Sequence, residues 1–270
     1  MGVDRLARFR TGGRTFHALL VGDDRAREVH GDPFAGDGEP GAAWEVDEEA
    51  RATSSWELLT PCLPSKIIGV GRNYGKHAAE LGHDLPREPL LFLKPPSSLL
   101  ANGGTILVPE DSRRVDFEGE LGVVIGREAR HVPEGRAFDY ILGYTCINDV
   151  TARDLQARDV QFSRAKGFDT FCPCGPCIAI GLRPGDLVVE TYVNGTKRQS
   201  SPVSSMMFGV ARLVSYISRI MTLRPGDLIA TGTPEGVGPL KPGDEVTVSI
   251  EPIGRLVNRV GAERSDGRES

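Results

Sequence analysis

Nowhere in the 270 residues is there a run of roughly 18 apolar side chains, the length a helix needs to span a bilayer. Met1 to Arg10 carry charges, and the apolar stretch of about 7 to 15 residues that marks a secretory leader does not follow them. The expected location is cytoplasmic. A basic excess is also lacking, since 32 Lys and Arg stand against 37 Asp and Glu for a formal charge of -5. Neither nucleic acid nor an anionic membrane is therefore expected as a partner. Cysteine is sparse and odd in number: Cys62, Cys146, Cys172, Cys174 and Cys177. Three of them form Cys-Pro-Cys-Gly-Pro-Cys, but no second CxxC or paired His motif completes the four soft ligands of a zinc or iron-sulfur site. Reduced thiols in a strand interrupted by Pro and Gly are expected instead.

What the chain has in quantity is punctuation, with 33 Gly and 19 Pro in an otherwise ordinary composition of 39% hydrophobic and 26% charged residues. Helices tolerate few of either, so the fold class is expected to be mainly β with a few helices, an α+β arrangement. The pattern Leu-(Arg/Lys)-Pro-Gly-Asp recurs at Leu182 to Asp186, Leu223 to Asp227 and Leu240 to Asp244. Pro sets φ and Gly accepts φ > 0, which predicts type II turns leading into strands. The unequal spacing argues against a solenoid or propeller. Residues 1–62 read as a small N-terminal β domain ending in the stiff Pro61-Cys62-Leu63-Pro64, residues 63–260 as the main body, and 261–270 as a flexible tail. Helices are expected over Asn73 to Leu81 with Asn73 as N-cap, from about Thr151, and over about Ser205 to Met221, where Met207, Val210, Leu213, Val214 and Ile217 make a core-facing stripe.

Carboxylates are the candidate chemistry. In Val115-Asp116-Phe117-Glu118-Gly119-Glu120-Leu121 the side chains of a strand alternate, placing Glu118 and Glu120 on one face with Asp116 beside them. Like charges on one face repel, and a hard divalent cation offsets that best. The apolar run from Ile141 ends in Asn148-Asp149 and runs into a helix start, which makes Asp149 a third candidate ligand. On spacing alone the alternative stays open that Glu118 and Glu120 form a solvated face and Asp149 caps a helix.

Several words of the sequence, in order, are more specific: Gly71-Arg72-Asn73-Tyr74-x-x-His77, Phe92-Leu93-Lys94-Pro95, Phe117-Glu118-Gly119-Glu120-Leu121, Asn148-Asp149-Val150-Thr151-Ala152-Arg153-Asp154, and Ala230-Thr231-Gly232-Thr233-Pro234-x-Gly236-Val237-Gly238. From about residue 65 to 260 the chain resembles the fumarylacetoacetate hydrolase family. The resemblance implies a mixed β-roll, usually homodimeric, with Mg2+ or Mn2+ (Ca2+ as a substitute in a crystal) held by Glu118, Glu120 and Asp149. It also implies His77 and Glu80 on a lid, Lys166 as a catalytic cation, and Arg153, Gln156, Thr233 and, as an addition, Lys94 as substrate-binding residues. The Cys-rich segment departs from the family pattern, and oxidation sensitivity is one hypothesis for it.

The activity so implied is metal-dependent C-C bond cleavage on a small 2-oxo acid or diacid through an enolate, by hydrolysis of an acylpyruvate or decarboxylation of an oxaloacetate-like substrate. In hydrolysis His77 would deprotonate water while Glu80 orients the ring. Two alternatives remain: isomerisation or decarboxylation of 2-hydroxyhepta-2,4-diene-1,7-dioate or carboxymethyl-hydroxymuconate, and a non-catalytic metal-binding protein on the same scaffold.

Overall fold

The computed structural model of the chain describes residues 3–35, 44–75 and 85–263. Strands dominate, as the Gly and Pro content predicts. The largest sheet has 13 strands, and its spine runs from Asp4–Thr11 through Cys172–Ile180, Ile141–Asn148, Gly119–Ile125, Leu228–Ala230 and Ile67–Gly71 to the edge strand Leu90–Lys94. Neighbours along that spine are antiparallel except Leu228–Ala230 and Ile67–Gly71. Every residue of Ile141–Asn148 and of Gly119–Ile125 is buried. Both faces of these strands are covered, so they carry near-continuous apolar runs where a half-exposed strand would alternate.

The N-terminal strands extend the same sheet. Asp4–Thr11 forms a hairpin with Arg14–Val21 across Gly12 and Gly13, whose φ of 54° and 77° suit the tight two-residue turn that other side chains resist. On its other side Asp4–Thr11 pairs with Cys172–Ile180 through Asp4 to Ile180, Arg5 to Ala179 and Leu6 to Ile178. A five-stranded sheet orders Thr105–Val108, Gly254–Ala262, Glu245–Ile250, Val188–Val193 and Thr196–Pro202. A third, small sheet joins Thr151–Ala152, Val115–Phe117 and Gly238–Leu240.

The helix Val210–Ile220 buries Val210, Leu213, Val214 and Ile217 in the main core cluster. Each such side chain contributes about 1.5–3 kcal/mol when fully removed from water. Met207, expected on that stripe, precedes the helix. The helix expected near Thr151 is short, Arg153–Arg158. Among the described residues no helix is long and apolar enough to cross a membrane.

Two of the three Leu-(Arg/Lys)-Pro-Gly-Asp turns carry left-handed glycines, Gly226 at φ 84° and Gly243 at φ 96°. The third differs: Pro184–Asp186 is a 3-10 turn, and Gly185 is not left-handed. Asn73 also departs from its expected role. It is buried and clamps distant backbone, its Nδ2 donating to Phe208 O at 3.0 Å and Thr231 O at 2.7 Å while its Oδ1 accepts from Phe208 N at 2.8 Å. The remainder of the helix expected from Asn73, and the tail beyond residue 263, lie outside the described residues.

Candidate metal centre and its cavity

Strand register assembles the carboxylates. Gly119 pairs with Asn148 and Glu120 with Ile147, so the next step of the antiparallel ladder sets Glu118 opposite Asp149. Asp149 N donates to Glu118 O at 2.8 Å and Glu118 N to Asn148 Oδ1 at 2.9 Å. Glu118 lies in the break between Val115–Phe117 and Gly119–Ile125. Glu118, Glu120 and Asp149 are all buried, and one ligand oxygen from each lies within 4.8 Å of the others.

Cations surround this triad. Lys166, on the short helix Ser163–Gly167, donates from Nζ to Glu118 Oε2 at 2.9 Å, Asp149 Oδ2 at 2.6 Å and Thr151 Oγ1 at 2.7 Å. Lys94 reaches Asp149 Oδ1 at 2.6 Å from the end of the edge strand. Arg153, first residue of its helix, spans Asp116 at 3.0 Å and Glu118 at 2.5 Å, with its third donor on Gln156 Oε1 at 2.9 Å. Burial works against the Lys166 charge, but Asp149 and Glu118 hold its pKa above the usual lysine value. The same balance, burial opposed by Glu118 and Asp116, raises that of Arg153.

Glu120 is placed differently. Its one polar partner among the described residues is the Gly232 backbone N–H, which donates to Oε2 at 2.8 Å. Burial, reinforced by Asp149 and Glu118, pushes its carboxyl well above the usual carboxylate range. A buried acid with no cation hydrogen-bonded to it among the described residues, next to two more acids with oxygens in chelating range, fits a hard divalent ion. Glu118, Glu120 and Asp149 are the residues that would hold it.

The triad opens into a cavity of about 330 Å³ whose lining also includes Arg153, Gln156, Lys166 and Thr233. Phe92 and Phe162 meet edge to face at 5.9 Å on its apolar side, and Lys166 Nζ stands 4.7 Å from the Phe92 ring centre. Thr233 Oγ1 donates to Gly119 O at 2.9 Å and accepts from Gln199 Nε2 at 2.8 Å. Lys94 is not in the lining and stands behind Asp149. His77 and Glu80 lie outside the described residues.

Further residues support the site. Asp116, expected beside the two glutamates, is joined to Glu118 through Arg153 and also takes Arg114, which no motif singled out. Gln199, which props Thr233 and accepts from Gly119 N at 3.1 Å, sits 80 residues from Gly119 in a different sheet, beyond any local pattern. Arg72 lines the cavity and was legible as part of a motif, without a role.

All five cysteines are buried and reduced. The strand Cys172–Ile180 carries three of them, as expected of a Pro- and Gly-interrupted strand. Burial pushes the Cys177 thiol up to about 12 and raises Cys172 and Cys146 as well.

The model of the family described as fumarylacetoacetate (FAA) hydrolase C-terminal matches residues 66–261, and that of an Rv2993c-like N-terminal region matches residues 4–61. Oxaloacetate tautomerase YisK of Bacillus subtilis is 40% identical over 254 residues, 86% of this chain and 84% of that protein. The crystal structure of 5-carboxymethyl-2-hydroxymuconate delta-isomerase from Mycobacterium smegmatis aligns with a TM-score of 0.87 and 42% identity over 96% of this chain and 100% of that one. That of fumarylpyruvate hydrolase from Pseudomonas aeruginosa, in complex with Mn2+ and pyruvate, aligns at 0.70 and 35% identity over 77% and 92%.

Proposed function

Because this chain belongs to the fumarylacetoacetate hydrolase family, we propose that it is a Mg2+- or Mn2+-dependent enzyme acting on a small 2-oxo acid through the enolate of that acid, with keto-enol exchange as its basic reaction. The carrying observation is the buried triad itself, in which Glu118 and Asp149 share Lys166 while Glu120 has no cation of its own among the described residues. Bound at Glu118, Glu120 and Asp149, the ion would supply Lewis-acid polarisation of a chelating 2-oxo acid.

The protein's own groups supply the rest. Lys166, its three N–H donors held by Glu118, Asp149 and Thr151, and Arg153 place fixed positive charge at the cavity floor, where an enolate oxygen or a carboxylate would gather negative charge. Both are already oriented by acids, so little reorganisation accompanies the reaction. Gln156 is held by Arg153 and Thr233 by Gln199, which presents two neutral polar groups to the substrate in set positions. Phe92 and Phe162 keep one side of the cavity apolar and strengthen these interactions.

The tautomerase relative, 40% identical over most of this chain, supports enol exchange. C-C bond cleavage is a second reading, supported by the fumarylpyruvate hydrolase neighbour and by His77 and Glu80 in the sequence. There the enolate is the leaving fragment and His77, oriented by Glu80, activates water. A homodimer in the cytoplasm is part of the same proposal.

The test is a substrate panel followed by ultraviolet absorbance and product assay, with Mg2+ or Mn2+ against EDTA, on oxaloacetate, acetylpyruvate, fumarylpyruvate and a hydroxymuconate-type diene. Metal-dependent decay of enol absorbance without release of pyruvate supports exchange. Stoichiometric pyruvate would favour cleavage, and metal binding without any turnover would leave a non-catalytic metal protein.

A further inference from the structure

The cations at the site divide into two kinds. Lys94, Arg153 and Lys166 are each committed to a carboxylate of the protein: Asp149, the Asp116 and Glu118 pair, and the Glu118 and Asp149 pair respectively. Arg72 is the exception. It lines the same cavity, is half-buried, and its guanidinium has no hydrogen-bond or ion-pair partner among the described residues.

Its backbone is also unusual. Arg72 directly follows the strand Ile67–Gly71 with φ at 57°, a left-handed conformation that Gly or Asn adopts far more easily than a long side chain. Strain of this kind clusters at functional sites, and Arg72 alone among the left-handed non-Gly residues described lines this cavity. Next to Arg72 the lining turns apolar, with Val70, Leu90 and Phe92. An anion entering this part of the cavity would leave water, and a guanidinium fork without a competing acid among the described residues is the group that can receive it with two parallel hydrogen bonds.

We propose that Arg72 is a specificity-determining residue that receives a second, distal carboxylate of the substrate, so that the enzyme prefers 2-oxo dicarboxylates to their monoacid counterparts. This role rests on the enolate chemistry proposed above and divides the labour at the site. The 2-oxo carboxylate end belongs to the triad with Lys166 and Arg153, and the far carboxylate belongs to Arg72. A neutral far end would leave Arg72 half-desolvated and unpaired, which is a penalty against the wrong substrate as well as a gain for the right one.

The experiment compares the full chain with Arg72→Gln and Arg72→Asn, the second of which tolerates the left-handed backbone. With Mg2+ present, kcat/KM is measured on oxaloacetate and on its 4-ethyl monoester. Both variants are expected to lose on the order of 10- to 100-fold on the diacid, mainly through KM, and to stay within about 2-fold on the monoester. Equal losses on both substrates, or none on the diacid, would overturn the assignment. Calorimetric binding of malate against lactate to the Mg2+-loaded protein reads the same preference without turnover. The wild-type chain is expected to bind malate about 10-fold tighter or more, and Arg72→Gln to erase that difference. Malate no tighter than lactate in the wild-type chain overturns the role of Arg72. Preference for malate in a protein that turns over no oxo acid instead sinks the proposed reaction and leaves Arg72 standing.

Discussion

Lys166 and Asp149 meet at 2.6 Å in the interior, 17 residues apart in sequence, with both side chains withdrawn from solvent. Glu118 shares the same ammonium at 2.9 Å. Buried ion pairs add little net stability when intact, yet removing one partner strands the other. Lys166→Met is therefore expected to destabilise the metal-free protein by about 3 kcal/mol or more and to lower kcat/KM on the order of 10²-fold or more. Urea unfolding in EDTA and steady-state kinetics check the two effects, and unchanged values in both would remove Lys166 from the site.

Glu120→Gln is expected to act in the opposite direction on stability. The amide oxygen can still accept from Gly232, while the repulsion from Asp149 and Glu118 disappears. Without metal the variant should gain about 1 kcal/mol, a rise of about 2–4 °C in Tm. The stabilisation that Mg2+ or Mn2+ confers on the wild-type chain, reversed by EDTA, should be lost with it. A variant that still responds to metal like the wild-type chain would exclude Glu120 as a ligand.

His17 makes stability pH-dependent. Burial holds its pKa below the ordinary 6.5, aided by Arg8 and opposed by its Pro61 carbonyl contact at 3.2 Å and by Asp32. The unfolded chain thus takes up a proton first, so this contribution is complete above about pH 6.5 and shrinks as pH falls toward the lower folded value. Over the same window the loss of Tm should be smaller for His17→Gln than for the wild-type chain. Parallel Tm profiles from pH 7.5 to 5 would contradict it.

The thiols are expected to be inert. Reaction with a disulfide reagent at pH 8 needs thiolate and access; all five cysteines are buried, and burial also raises the thiol pKa of Cys146, Cys172 and Cys177. The native protein should release well under one equivalent, and the unfolded protein all five. Peroxide should then inactivate the Cys172, Cys174 and Cys177 triple Ser variant no more slowly than the wild-type chain, and marked protection would restore oxidation as their role.

Local chemistry made the carboxylates legible. An apolar run that ends in Asn148-Asp149 and a Glu-Gly-Glu of period two are patterns written within ten residues. The same period put Asp116 beside Glu118, where Arg153 now joins the two. Lys166 lies on five helical residues, too short for any apolar periodicity, and came from the family resemblance alone. The support given by Gln199 and the clamp made by Asn73 depend on partners 80 and 135 residues away. Such contacts are set by which strands pair and in what register, and a single chain does not announce that.

The pairing of Leu6 with Ile178 and its neighbours has a consequence for any attempt to trim the chain. Deleting the N-terminal strands would do more than remove an appendage. It would strip the Ile178 to Ile180 end of Cys172–Ile180 of its partner, leaving unpaired amides and carbonyls beside buried apolar side chains, ready to template association with another chain. The first strand thus serves as a selvedge, finishing the fabric that carries Asp149 on the adjoining strand's end.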